Sequence, residues 1–294
     1  MGTYEEKNKI NTERRDMKKY LIPVFLCVFL SSVAMGQTVK LITYNIKYDD
    51  PNATENAWDK RKDIITSQIT FYEPGVFGIQ EGLDHQVKYL DNQLESYSYV
   101  GVGRDDGKTK GEYSAVYYKH GMFTVQDHGT FWLSETPGEP SVGWDAAMER
   151  ICTWALLEHK ASGKKLRVFN THFDHRGEKA RANSARLILQ KMDEISKQGE
   201  TIVLMGDLNA LPDQEPIEVI DAKLKDTRIV SQAQPFGPEG TYNGFDYDEP
   251  SAKRRIDYIF VKDTEVLKYG VLNDPVNLHF PSDHFPVYAE IRLR

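Results

Sequence analysis

Nine side chains of the types that handle phosphate and hard cations sit at the ends of apolar runs in this sequence. Asn45 ends Leu-Ile-Thr-Tyr-Asn and Glu81 ends Phe-Gly-Ile-Gln-Glu, while Asn170 and His172 lie in Val-Phe-Asn-Thr-His. Asp207 and Asn209 follow in Leu-Met-Gly-Asp-Leu-Asn, Asp257 in Arg-Ile-Asp-Tyr-Ile-Phe, and Asp283 with His284 in Pro-Ser-Asp-His-Phe. Carboxylates and amide oxygens without a cysteine or a close histidine pair suit magnesium or manganese better than structural zinc. Such an ion polarises a phosphoryl oxygen and offsets charge on a leaving group. Glu81 with Asn45 is the candidate metal pair, and Asp207 and Asn209 are placed to position and deprotonate a water. His172 and His284 are the groups to bind or protonate phosphate oxygens. Hydrolysis of a phosphate ester is the chemistry that uses all of them.

These residues converge only if the runs they terminate are strands ending at one place. Segments 39–46, 76–80, 113–119, 150–159, 166–172, 201–205, 256–261 and 285–291 are β-branched or aromatic and bounded by Gly, Pro, Asp or Asn, which predicts strands. Several are apolar on both faces, as in Ile151, Cys152, Trp154, Ala155, Leu156 and Leu157, so they belong between other layers. Ala185, Ile188, Leu189, Met192 and Ile195 recur at helical spacing and predict a helix over 178–197, stopped by Gly199. Weaker helices are expected over 59–72 and 85–94. Strands and helices without strict βαβ alternation imply an α/β fold of two sheets packed face to face and covered by helices.

The 294-residue chain is large enough for one such domain, and its net charge of −7 offers no broad basic surface for long nucleic acid. Residues 1–36 are set apart as a signal peptide with a leading extension. Lys18 and Lys19 precede an uncharged run from Tyr20 to Met35, with small residues around a cleavage point at Ala34-Met35-Gly36 and Met17 as an alternative start. The run is shorter than a spanning helix. Cys27 lacks the small residues that precede a lipid-modified cysteine. Export to the periplasm or beyond the cell follows, with no lasting membrane insertion. The catalytic domain is then 37–294, with net charge −9 and Cys152 as its single cysteine, so no internal disulfide supports it.

Loop residues add candidates for substrate binding, each with a plainer alternative. His175 follows His172 on one loop and is either a substrate contact or an ordinary exposed histidine. Arg104, in the Gly101–Lys108 connection, is a residue that reaches the pocket or part of a simple link. Arg150 opens an apolar strand as a phosphate clamp or a solvated strand end. Trp132 and Trp144 offer stacking surfaces or loop anchors. The Lys253-Arg254-Arg255 run is either solvated or substrate-binding, solvation being the plainer reading.

The ordered set Asn45, Gln80-Glu81, Asn170-Thr171-His172, Gly206-Asp207-Leu208-Asn209, Asp257-Tyr258-Ile259-Phe260 and Ser282-Asp283-His284 resembles the endonuclease/exonuclease/phosphatase superfamily, the deoxyribonuclease-I-like fold. The resemblance covers essentially all of 37–294. It implies a four-layer α/β sandwich and a Mg2+- or Mn2+-dependent hydrolase. It makes Glu81 the principal metal ligand, with Asn45 and Asp283 beside it, and Asp207 the group that activates the attacking water. It also implies that Asn209 holds a phosphate oxygen, that Asp257 pairs with His284, and that His172 and Asn170 belong to the phosphate-contacting motif.

Substrate class is not decided by that set, because one metal site serves nucleases, deadenylases, lipid phosphodiesterases and sugar phosphatases. The acidic balance favours a small phosphorylated metabolite, a sugar or nucleotide phosphate, or a short oligonucleotide, handled by a monomer. Trp58-Asp59-Lys60-Arg61 resembles the deadenylase-like branch and keeps a secreted nuclease as the alternative. A non-catalytic module that binds phosphorylated ligands is a minor one.

Overall fold

Side-chain alternation at period two decides which residues face the interior of this protein. The computed structural model describes residues 38–247, 253–277 and 279–294, with Thr38–Arg294 as a compact unit; the expected signal segment 1–36 lies outside the described residues. In chain order the elements are β1 (Thr38–Asn45), α1 (Trp58–Tyr72), β2 (Val76–Gln80), α2 (Asp84–Gln93), β3 (Tyr97–Val100), β4 (Val116–Lys119), β5 (Phe123–Trp132), β6 (Ile151–His159) and β7 (Lys165–His172). Then come α3 (Glu178–Ile195), β8 (Thr201–Asp207), α4 (Glu215–Asp221), β9 (Lys225–Asp226), α5 (Thr227–Val230), β10 (Asp257–Lys262), β11 (Glu265–Val271) and β12 (Val287–Arg292). Two six-stranded sheets result, ordered β11-β12-β1-β2-β4-β3 and β5-β6-β7-β8-β10-β9. Each is mixed, with β1–β2 and β7–β8 parallel and the other pairs antiparallel.

Three apolar cores separate four layers. Between the sheets lie Val39, Leu41, Val76, Val168, Val203, Met205, Ile259, Val261, Val287 and Ala289. The other faces of the same strands carry Ile42, Tyr44, Phe77 and Ile79 against Trp58, Ile65 and Ile69 of α1 and Val87 and Leu90 of α2. On the second sheet Phe169, Leu204, Tyr258 and Phe260 pack against Ala185, Ile188 and Met192 of α3 and Ile217 and Ile220 of α4. This is the expected four-layer α/β sandwich, and central strands buried on both faces read as continuous apolar runs for that reason. Among the described residues no helix is long and apolar enough to cross a membrane.

The expected central strands and the helices over 58–72, 84–93 and 178–195 are present within a few residues of their predicted limits. The strands that patterning missed are β3, β5, β9 and β11, and each is a sheet edge. One side of an edge strand meets water, so these segments are short or polar. β5 also carries Asp127, His128 and Gly129 and a register shift between Val125 and Asp127.

Candidate active site

The inner-face alternation that buries Val39 and Leu41 continues to Asn45; likewise Val76 leads to Gln80, Val168 to Asn170 and His172, and Val203 and Met205 to Asp207. Strand register then sets neighbours: Asn45 lies opposite Gln80, His172 opposite Asp207, and Asp257 opposite Asp207. Polar side chains thus gather at one mouth between the two sheets. Gly206 is required there, since its φ of +148° suits glycine and a Cβ would overlap the Thr171 carbonyl on the adjacent strand.

Just beyond the strand ends, Lys47, Glu81 and Asn209 hold left-handed backbone at φ 57°, 64° and 44°. Non-glycine residues adopt this region only where the surroundings impose it. Buried Arg61 of α1 is one such restraint. It donates from Nη1 to the carbonyls of Ile46 at 2.7 Å and Pro281 at 2.9 Å, and from Nη2 to that of Lys47 at 3.1 Å. It thereby ties the turn after β1 to the turn that carries Asp283. Ser282 Oγ reinforces the tie by donating to the Asn45 carbonyl at 2.7 Å.

Asn45 Nδ2 bridges the sheets, donating to Glu81 Oε1 at 3.0 Å and Asp207 Oδ2 at 3.1 Å. Glu81 Oε2 accepts from the Tyr48 N–H at 3.1 Å. Lys47 Nζ stands 3.3 Å from Asp283 Oδ2 and 3.8 Å from Glu81 Oε2. Burial opposes ionisation of Glu81, but the Lys47 charge and the Asn45 hydrogen bond outweigh it and hold the carboxyl below its ordinary range. Glu81 and Asp283 are hard carboxylate ligands that already converge on a positive charge, so they fit a divalent cation; the Asn45 amide turns its nitrogen to Glu81 and its oxygen to the Lys47 N–H, and offers a third oxygen only once that amide turns over.

Deeper in the mouth, His284 Nδ1 donates to Asp257 Oδ2 at 2.9 Å, with its Nε2 3.7 Å from Asp207 Oδ2. Burial would strip this imidazole of its proton. Asp257 and Asp207 overcome that and keep it charged to about pH 10. Burial, and then the charge of Asp257, push the Asp207 carboxyl up to about 7. Asp207, Asp257 and His284 could also supply three metal-ligand atoms within 4.8 Å of one another. The protonated imidazole already meets the need for positive charge there, so the Asn45, Glu81 and Asp283 set is the better cation site.

His172 Nε2 accepts from Asn209 Nδ2 at 3.1 Å, and the same amide nitrogen donates to the Phe173 carbonyl at 3.1 Å. Nε2 also lies 3.4 Å from Asp207 Oδ2. Burial, then the charges of Arg150 and Arg104, hold His172 well below its ordinary value, hence neutral. Asn209 therefore orients His172 in this structure, and its backbone N–H donates to Asp207 Oδ1 at 2.9 Å.

The loop candidates divide. Arg104 forms a two-pronged pair with Glu112 at 2.6 and 3.0 Å. Glu112 Oε2 is 3.9 Å from His172 Nδ1, and burial raises its carboxyl despite the Arg104 charge. Arg150 is buried, with Nε 3.5 Å from Asp174 Oδ2 and Nη2 donating to His175 Nδ1 at 3.1 Å, so it is no solvated strand end. Trp132 anchors a loop through Nε1, which donates to the Arg104 carbonyl at 2.7 Å. Trp144 is half-buried, and its N–H donates to Glu135 Oε2 at 3.1 Å, outside the strand-end cluster.

Asn170 corrects the expectation of a substrate contact. It is fully buried between the sheets, donating to the carbonyls of Ile79 and Ala115 at 2.9 Å each and accepting from Gln80 Nε2 at 2.6 Å. Both amide hydrogens and one oxygen lone pair are spent on joining the two sheets.

Sequence reasoning missed Lys47, Arg61 and Glu112 as site residues. Glu112 and Arg150 precede strands that run antiparallel to their neighbours, so strand entries reach the mouth as well as strand exits. The signal that singled out Arg150, a polar residue immediately before an apolar run, would also have found Glu112. Lys47 carries no such signal, because a lone lysine after a strand is ordinary surface composition.

Comparison with known proteins gives this site its context. The Endonuclease/Exonuclease/phosphatase family profile matches residues 42–284. A family protein of known structure from Bacteroides thetaiotaomicron is 36% identical, with a TM-score of 0.83 over 88% of this chain and 98% of that one. The mannosyl-6-phosphatase of Bacteroides thetaiotaomicron VPI-5482 is 37% identical, with a TM-score of 0.82 over 86% of this chain and 99% of that one. The exoribonuclease subunit Ccr4 of the CCR4-Not complex from Mycosarcoma maydis is 20% identical over 89% of this chain, which spans 51% of that protein's length. The chain belongs to the Endonuclease/Exonuclease/phosphatase family of metal-dependent hydrolases acting on phosphate esters.

Proposed function

We propose that this protein is an exported phosphomonoesterase that removes phosphate from a small hydroxylated metabolite, a sugar phosphate before a nucleotide phosphate. The observation that carries this reading is the wall beside His172. Arg104 Nε, Arg150 Nη1 and His172 Nδ1 are buried without a hydrogen-bond partner. Their charges are already balanced locally, Arg104 by Glu112 and Arg150 by Asp174. Cations already paired with carboxylates leave little unbalanced positive charge for the flanking phosphates of a polymer, and so favour a substrate whose remaining moiety is uncharged. Similarity to a mannosyl-6-phosphatase at 37% identity supports the same substrate class.

In this reading Asn45, Glu81 and Asp283 would hold Mg2+ or Mn2+. When bound, such an ion polarises the phosphoryl oxygen and offsets charge on the ester oxygen. Asp207, whose buried carboxyl sits near neutrality, orients the attacking water and takes its proton. Charged His284, steadied by Asp257, donates a hydrogen bond to a phosphoryl oxygen where negative charge accumulates. Neutral His172, oriented by Asn209, and the Arg104–Glu112 pair hold the leaving moiety in line.

A panel of hexose phosphates, nucleoside monophosphates, single-stranded RNA and single-stranded DNA, each with Mg2+ and with Mn2+, tests the assignment. Hydrolysis concentrated in the hexose phosphates is expected. Preferential cleavage of the polymers would replace this reading with a secreted nuclease. Export is tested on the native protein, whose mature N-terminus is expected near Gln37; a cytoplasmic chain that retains residues 1–36 would refute it.

A further inference from the structure

Lys47 occupies an unusual place for a lysine. Its ammonium lies between the Asp283 and Glu81 carboxylates at 3.3 and 3.8 Å, the pair assigned above to the divalent cation. The position is built by its surroundings. The Lys47 backbone is left-handed at φ 57°, its N–H donates to Asn45 Oδ1 at 3.0 Å, and its carbonyl accepts from Arg61 Nη2 and Gln86 Nε2 at 3.1 Å each. The Tyr48 ring flanks the ammonium, its centroid 4.7 Å away. Three side chains from two helices and a strand end thus hold a strained residue so that its charge enters the acidic pair.

We propose that Lys47 is the resident counter-cation of the metal site: its ammonium holds Glu81 and Asp283 together in the metal-free protein and is displaced when a divalent cation enters between them. The inference rests on the metal-site reading given above. Two carboxylates at this spacing repel each other unless a positive charge lies between them. An ammonium in that place competes with the incoming ion, so the site is kept assembled at the expense of metal affinity. The metal is then exchangeable and the empty site does not splay.

Calorimetric titration of the metal-free full-length protein with MgCl2 alone, repeated with MnCl2, tests this on wild type, Lys47→Met and Lys47→Arg. Lys47→Met keeps the apolar stem without the charge and is expected to bind the ion at least tenfold more tightly, with a lower metal-free Tm. Lys47→Arg keeps the charge and is expected to stay within a few-fold of wild type. Equal or weaker binding by Lys47→Met would overturn the proposal while leaving the metal site standing. Absence of binding to wild type would overturn both.

A second measurement does not depend on the variants folding. Acetylation of wild-type Lys47 by a small amine reagent, followed by peptide mass mapping, is expected to accelerate several-fold when Mg2+ is added. An unchanged or slower rate would contradict displacement.

Discussion

His284 and Asp207 share one buried mouth, and their surroundings push both toward holding a proton. For His284 the folded value of about 10 exceeds the ordinary 6.5, so its contribution to stability is complete below about pH 6.5 and is lost as pH rises through about 10. Asp257→Asn removes the main source of that rise and flattens the decline, which denaturant unfolding of metal-free protein between pH 6.5 and 10 will show. The same substitution should lower kcat about 10²–10⁴-fold, as expected when a general acid or oxyanion partner loses its orientation. Asp207 follows the same sign rule with different limits. Its folded value of about 7 against 3.8 means stability present below about pH 4 and lost by pH 7, so the ionised group is a burden at pH 8. Asp207→Asn is therefore expected to abolish turnover and to flatten the decline in metal-free stability between about pH 4 and 7. A variant whose stability still fell as steeply over that range would contradict this account of Asp207. The residues involved were legible in the sequence because Asn, Asp, Glu and His follow apolar runs at so many strand ends. What was not legible is charge balance: nothing in Gly-Asp-Leu-Asn or Ile-Asp-Tyr reveals that Asp207 and Asp257 are cross-strand neighbours.

At the scale of elements, the alternation that fills the intersheet core also delivers the site, so the two cannot be altered independently. Asn170 shows this most clearly. Its motif reads as phosphate-contacting, yet its side chain crosses to the first sheet, into space left by Gly78, where a Cβ would sit 2.6 Å from the Asn170 amide. Asn170→Ala removes the side-chain donor from the Ile79 and Ala115 carbonyls, of which Ala115 keeps the Ile79 N–H, and is expected to cost about 2–4 kcal/mol of stability with KM little changed. A raised KM at unaltered stability would restore the substrate-contact reading. Gly78→Ala should destabilise similarly by forcing the Asn170 amide aside. The strands that patterning missed are the edges of the two sheets, where exposure on one side removes the apolar signature. The core strands were legible because burial on both faces leaves almost no polar positions. Arg61 belongs to this scale too. A helical arginine on an otherwise apolar face reads as a solvated charge, and only the folded chain shows it binding four backbone carbonyls.

For the whole molecule, the acidic excess takes on a specific meaning. A net charge of −7 over the full sequence excludes little by itself. Part of it is concentrated in Glu81, Asp207, Asp257 and Asp283 at one mouth between two sheets, where Lys47 and His284 offset it locally. Four layers are needed to bring β1, β2, β7, β8 and β10 to a common end, and no single segment of the chain contains enough of the site to act alone. The family's phosphate-ester chemistry is thus a property of the assembled sandwich. The most direct test is steady-state hydrolysis of a generic phosphate ester by chelator-treated protein, wild type and Glu81→Ala, with Mg2+ or Mn2+ then added back. Wild-type activity is expected to vanish with chelation and return with the ion, while Glu81→Ala stays at least about 10²-fold lower in kcat at accessible metal concentrations. Turnover by Glu81→Ala at the wild-type rate, or activity indifferent to chelation, would contradict the assignment of this strand-end cluster as the metal-dependent hydrolytic centre.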